Sequence, residues 1–189
     1  MTTSLGYTIF PTAVGDCAVA WNGVGLLGVW LPERSAERLR ARIAQRHPGI
    51  SEATTSGATT EAVAAITALL GGERLDLSAV SIDDSALDPF DRRVYAAARQ
   101  IPPGRVLTYG GLAVTIDLGP VDARAIGQSL GRNPFPIVVP CHRIVGAHGG
   151  LGGFSAPGGA ATKRLLLTIE DARLAGTADL FDMLPDEAP

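Results

Sequence analysis

Cysteine, histidine and lysine are scarce in this chain: it has two cysteines and three histidines among 189 residues, and its one lysine is Lys163. Two cysteines far apart, Cys17 and Cys141, do not make a disulfide framework, so a reducing, cytoplasmic setting is expected. No Cys/His group has zinc-ligand spacing, so neither a metal nor another cofactor is expected. Every apolar stretch is interrupted by Gly, Pro or a charge well before transmembrane length, so no membrane partner is expected. Met1–Ser4 has no basic character and no apolar segment follows it, unlike a secretory leader. Neither an internal repeat nor a low-complexity tract is present. What remains is a globular composition, 46% hydrophobic and 19% charged. That is enough for one large domain or two small ones with a real core.

The net charge of -3 averages over unlike parts. Residues 1–89 carry a net -4, residues 90–170 a net +5 and residues 171–189 a net -4. A basic segment inside an acidic chain points to an anionic partner for that segment, although a solvated surface gives the same split.

Along the chain, residues 5–31 alternate in polarity, with turn signals at Gly15-Asp16 and Asn22-Gly23, and read as an antiparallel meander. Helical periodicity covers Glu33–Gln45, and Ser51–Thr60 reads as a loop. A second helix covers Glu61–Leu70 and stops at Gly71-Gly72. Leu75–Leu77 and Val80–Ile82 suggest a further strand, and a boundary falls near 85–89. Beyond it a helix is expected over Pro89–Gln100, ended by Ile101-Pro102-Pro103-Gly104. A short one follows, capped by Thr108 and running through Ile116. Another begins at Gly119-Pro120 and runs to about Gly131. That is the outline of a helix-turn-helix. In the last of these helices Ala123, Ala125, Gly127 and Ser129 are small while Arg124 and Arg132 are long and cationic. Small side chains suit either close approach to a DNA minor groove or tight helix packing.

The scarce residues meet in Pro140-Cys141-His142-Arg143-Ile144-Val145. The apolar run Ile137-Val138-Val139 precedes it and reads as a strand. The glycine-studded stretch 146–153 follows as a pliable loop. Such an arrangement presents a thiol at the edge of a cavity, and a thiolate is a strong nucleophile. The alternative is a cysteine buried as a small hydrophobe, which is also the reading for Cys17.

With the helix-turn-helix, the small-faced helix and Pro-Cys-His-Arg in this order, residues Phe90–Glu170 resemble the O6-alkylguanine-DNA alkyltransferases. These are also called methylated-DNA–protein-cysteine methyltransferases. The resemblance is carried by Ile101-Pro102-x-Gly104, Thr108-Tyr109-Gly110-x-Leu112-Ala113 and Ala123-Arg124-Ala125-Ile126-Gly127. It continues in Asn133-Pro134-x-Pro136-Ile137, Pro140-Cys141-His142-Arg143, Gly152-Gly153-Phe154 and Lys163-x-x-Leu166-Leu167-x-x-Glu170. It implies an α/β protein with an N-terminal ribonuclease-H-like small sheet with helices over 1–87. A C-terminal helical, winged-helix-like DNA-binding domain would cover 88–172, and an acidic tail 173–189.

The resemblance further implies a monomer whose partner is double-stranded DNA containing O6-alkylguanine. It implies base flipping and a single irreversible transfer of the alkyl group to Cys141; whether O4-alkylthymine is also a substrate stays open. His142 would act through a water with Glu170 behind it, and Tyr109 would donate to the guanine N3. Arg124 would enter the duplex where the nucleotide has rotated out, with Arg132 as a further DNA contact. Asn133 would tie the helix-turn-helix to the cysteine segment. The carbonyls of Cys141 and Ile144 would read the exocyclic amine, the Ser155 N–H would face O6, Phe154 would line the pocket, and Lys163 would brace the loop. Three features depart from the family pattern: an extra residue between Tyr109 and Arg124, the anion Asp122 at the helix start, and the Gly110-Gly111 pair. Two competing readings are a non-catalytic alkylated-base-binding repair module and a Cys-His hydrolase on an unrelated fold. The presence of Cys141 argues against the first, and adjacent Cys and His against the second.

Overall fold

Strand β1 (Gly6–Thr12) turns at Gly15, whose φ of 117° suits glycine, into β2 (Gly15–Trp21), and β3 (Leu26–Trp30) completes an antiparallel sheet. Tyr7 faces Ala20, Phe10 faces Cys17 and Val19 faces Val29, with an irregularity at Ala20/Trp21. These assignments come from a computed structural model that describes residues 5–119 and 122–172. The acidic tail expected over 173–189 lies outside the described residues.

Helix α1 (Ala36–Arg46) starts three residues later than its periodicity suggests, because the Ser35 hydroxyl caps it by accepting from the Arg38 N–H at 3.3 Å. Its buried residues Leu39 and Ile43 pack with Ala18 against one side of the sheet. Helix α2 (Ala58–Leu70) begins earlier than expected and is ended by Gly71. It buries Ala62, Ile66, Leu69 and Leu70, of which the three larger each contribute about 1.5–3 kcal/mol by leaving water. The expected strand over Leu75–Leu77 and Val80–Ile82 does not form. Asp76 instead folds a turn by accepting from the Ser78 N–H at 2.8 Å, and only a single bridge joins Ile82 to Leu26.

Helix α3 (Pro89–Ala98) has Asp88 as its cap and Pro89 in its first turn. After the Ile101–Gly104 stop, the two-residue strand β4 (Leu107–Thr108) leads into α4 (Tyr109–Thr115), where the Thr108 hydroxyl accepts from the Gly111 N–H at 2.9 Å. Helix α5 (Ala123–Gly131) follows the turn. The start expected at Gly119-Pro120 lies partly outside the described residues. The Tyr95 hydroxyl donates to the Ser129 carbonyl at 2.9 Å and locks α3 onto α5. Strand β5 (Ile144–Val145) pairs in parallel with β4, and α6 (Ala160–Ile169) closes the described part.

The chain is therefore mixed α/β, with two small sheets and six helices among the described residues. One apolar core runs through both halves, from Phe10, Val19 and Ile66 to Val94, Ile126, Val139 and Leu166. The Val29 N–H donates to the Pro134 carbonyl at 2.9 Å, so β3 is tied directly to the segment that leads to Cys141.

Candidate active site

The segment between α5 and Cys141 is not the strand that its apolar run suggests. Pro134, Pro136 and Pro140 have no N–H to give to a ladder, and Ile137 sits at φ 76°, rare for a β-branched residue and costing about 1–3 kcal/mol. The chain makes tight turns instead: the Val139 N–H donates to the Phe135 carbonyl at 2.7 Å and the Cys141 N–H to the Val139 carbonyl at 2.8 Å. Asn133 pins this shape from the end of α5. Its Oδ1 accepts from the Phe135 N–H and its Nδ2 donates to the Val139 carbonyl, both at 2.9 Å. The thiol is delivered by a proline-framed turn held by one amide side chain.

Cys141 opens a short 3-10 turn, Cys141–Arg143. With three residues per turn, neighbouring side chains diverge by about 120°, so His142 faces away from the thiol, and the two share no hydrogen bond. Cys141 is 8% exposed. Burial pushes its pKa up, while a hydrogen bond with Asn133 and the charge of Lys163 pull the other way.

His142 is fully buried, with Nε2 at 2.8 Å from Glu170 Oε1 and Nδ1 buried without a hydrogen-bond partner. Burial holds the imidazole below its ordinary pKa against the opposing pull of Glu170, so at neutral pH it is uncharged. Nε2 then carries the proton toward Glu170, and Nδ1 is left as an acceptor.

Glu170 sits at the end of α6 and also receives Arg143: Nε at 2.9 Å from Oε2 and Nη2 at 2.7 Å from Oε1. Arg143 Nη1 donates to the Ile101 carbonyl at 2.5 Å. Burial alone would raise the carboxyl, but the hydrogen bonds and charges of His142 and Arg143 bring it down to about 2. Arg143 had no assigned role in the sequence. The signal was present, since a buried guanidinium must meet a carboxylate, but burial itself is not written in the residues.

Pairing of β4 with β5 sets Tyr109 beside the cysteine segment, one residue after Thr108, which faces Val145. The Tyr109 hydroxyl donates to the Gly153 carbonyl at 3.4 Å, and burial raises its pKa. Lys163 is fully buried, donates to the Ile144 carbonyl, and lies 5.5 Å from the centre of the Tyr109 ring. Burial pushes its pKa down to about 8, partly opposed by Cys141. Gly152 combines φ 68° with contact on Tyr109: a Cβ there would lie 2.9 Å from the phenol oxygen. Glycine is required at that position for both reasons.

Tyr109 and Cys141 line a cavity of about 650 Å³ together with Arg124, Gly127, Phe154 and Ser155. Arg124 is exposed, and Gly127 faces the Tyr109 ring with room for a Cβ 3.7 Å from it. Ser129, grouped with the small surface residues by its sequence position, is fully buried on the core side of α5. Arg132 turns back onto Asp91, with Nη2 at 2.7 Å from Oδ1, outside the residues that line this cavity. Asp122 folds back as well, accepting from the Gly119 N–H at 3.0 Å. Cys17 is buried in the core, and burial raises its thiol to about 11. Among the described residues, no cluster of three or more His, Cys, Asp and Glu could hold a metal ion.

Residues 89–172 match the model of the 6-O-methylguanine DNA methyltransferase DNA-binding domain. The chain is 34% identical over 176 residues to the methylated-DNA–protein-cysteine methyltransferase of Mycobacterium tuberculosis, spanning 93% of this chain and 98% of that one. It is 44% identical over 86 residues to the enzyme of the same name from Thermococcus kodakarensis, spanning 45% of this chain and 46% of that one. Its fold superposes on the M. tuberculosis OGT structure in complex with DNA with a TM-score of 0.70 at 29% identity, covering 88% and 93% of the two chains. It superposes on the O6-methylguanine-DNA methyltransferase of Pyrococcus kodakaraensis with a TM-score of 0.65 at 29% identity, covering 87% and 98%.

Proposed function

The chain belongs to the methylated-DNA–protein-cysteine methyltransferase family, and from that premise we propose that it repairs DNA by moving the alkyl group of O6-alkylguanine onto its own Cys141, once per molecule. The observation that carries this reading is the stacking of functions behind one cavity. Cys141 lines the cavity with Tyr109 and Arg124, while the next residue of the same turn, His142, is buried against Glu170.

In this reading the small-residue face of α5 meets the DNA, and Arg124 enters the duplex in place of the flipped nucleotide, offsetting part of the few kcal/mol that extrusion costs. The lesion base then fills the cavity. The carbonyls of Cys141 and Ile144 accept from its exocyclic amine. The Ile144 oxygen already accepts from Lys163 and keeps a second lone pair for this. The Ser155 N–H faces O6, Phe154 lines the base pocket, and the Tyr109 hydroxyl donates to N3.

The Cys141 proton leaves through a water to His142 Nδ1, and the sulfur attacks the alkyl carbon. The C–S bond forms as the C–O6 bond breaks, and the released electron pair goes to the guanine, stabilised by Tyr109. The proton lost by the thiol balances the one gained by the purine. A thioether is not cleaved by ordinary side-chain acid–base chemistry, which makes Cys141 a consumed reagent. O4-alkylthymine presents the same oxygen-bound carbon and belongs to the same proposal. The reading extends to a monomer in a reducing cytoplasm, where a free Cys141 thiol survives.

The test is a titration with duplex carrying radiolabelled O6-methylguanine: label should pass to protein and stop at one equivalent. Binding without label transfer would favour the non-catalytic module.

A further inference from the structure

Helix α5 brings two polar side chains to the cavity that Cys141 lines, Arg124 and Gln128. They stand four residues apart and both are exposed. That spacing sets them on one face of the helix, about 6 Å apart along its axis. The next residue on the same row, Arg132, is turned back onto Asp91. Beside this row lie Ala123, Gly127 and Gly131, which also line the cavity, and a side chain added at Gly131 would meet open space. The surface next to the Gln128 amide therefore carries nothing bulky to hold a duplex away.

We propose that Gln128 reads a base pair next to the lesion through the minor groove, favouring G·C over A·T there. The inference rests on the alkyl-transfer reading above, in which Arg124 enters the duplex at the flipped nucleotide. From that anchor the spacing along α5 carries Gln128 less than two base pairs away, since base pairs rise by about 3.4 Å. A helix face of small residues can approach this groove closely, and glutamine is among the side chains that read it.

The choice of base pair follows from the donors and acceptors present. A carboxamide has one carbonyl acceptor and an NH2 donor. Every base pair offers acceptors in the minor groove, but only G·C adds a donor, the guanine N2 amine. At G·C, Oε1 accepts from that amine while Nε2 donates to a neighbouring acceptor. At A·T only Nε2 finds a partner on the bases, and Oε1 is left facing them without one. An arginine or lysine at this position, with donors only, would make no use of the amine.

The experiment measures single-turnover transfer to the full chain, to Gln128→Ala and to Gln128→Leu, the last of which keeps the bulk of the side chain. The duplexes carry O6-methylguanine with G·C, inosine·C or A·T as the neighbouring pair, on either side of the lesion. Inosine lacks only the N2 amine. Wild type should transfer about fivefold or more faster beside G·C than beside inosine·C on one of the two sides, with A·T behaving like inosine·C. In both variants that ratio should fall to within about twofold of unity. Each ratio is taken within one protein, so a general loss of activity in a variant does not enter it. A ratio near unity on both sides in wild type, or the same ratio in wild type and variants, overturns the role of Gln128. Absence of transfer from every duplex overturns the alkyl-transfer reading with it.

Discussion

His142 and Glu170 meet at 2.8 Å in a region from which solvent is excluded, 0% and 4% exposed respectively. The contact fixes which imidazole nitrogen carries the proton. Glu170 takes the Nε2 side, so Nδ1 alone is left as an acceptor. Arg143 balances the charge of Glu170, so a neutral imidazole rests beside a neutral carboxylate–guanidinium pair.

Replacing Glu170 with alanine leaves the Arg143 guanidinium buried without its carboxylate. The expected cost is about 3–5 kcal/mol, seen as a melting temperature lower by on the order of 10 °C. Calorimetry of Glu170→Ala against wild type checks this, and an unchanged melting temperature contradicts it.

The same carboxyl gives a pH dependence with a defined sign. Its pKa is depressed from an ordinary 4.5 to about 2 in the folded chain. It therefore adds stability that is present above the ordinary value and is lost as pH falls from there toward 2. Urea unfolding between neutral pH and pH 3 should show this loss in wild type. The contribution should be missing from the pH profile of Glu170→Gln.

Gly152→Ala places a Cβ against the Tyr109 ring and phenol oxygen, at a backbone angle that L residues rarely adopt. Tyr109 must move or the loop must shift, and transfer should fall by about tenfold or more, since small misplacements near reacting atoms are costly. Single-turnover rates check it. Wild-type transfer by Gly152→Ala would mean that the loop re-forms around the substrate.

Tyr109→Phe keeps the ring on Gly127 and Lys163 but removes the donor. DNA binding should stay close to wild type while transfer falls by about a hundredfold. Arg124→Ala should do the reverse in part, weakening duplex binding with little effect on the reactivity of Cys141 toward a small alkylating reagent. Gel shift and iodoacetamide labelling separate the two.

Local signals located most of these elements because the relevant physics is local. The meander follows from alternation and turn residues, α3 from Pro89 and the Ile101–Gly104 stop, and α4 from the Thr108 cap. The candidate site residues form a linear pattern because Pro140–Arg143 and Lys163–Glu170 each hold several of them within a few positions. What was not legible depends on distant partners. Ile137–Val139 has strand composition, yet three prolines and the Asn133 side chain turn it. Leu75–Ile82 has alternation but meets β3 at only one bridge. Ser129 resembles its small neighbours until α3 covers it, and nothing local announces the pairing of Arg132 with Asp91. Arg143 is ordinary in sequence and becomes central only because Glu170 and Ile101 converge on it in three dimensions.

The most direct test of the account is mass spectrometry of the full chain after incubation with duplex containing O6-methylguanine. The account predicts one added methyl per molecule, found on the peptide that carries Cys141, no further gain with excess DNA, and no adduct on Cys141→Ser. An adduct on Cys17 or elsewhere, or repair of more than one lesion per molecule, would contradict it.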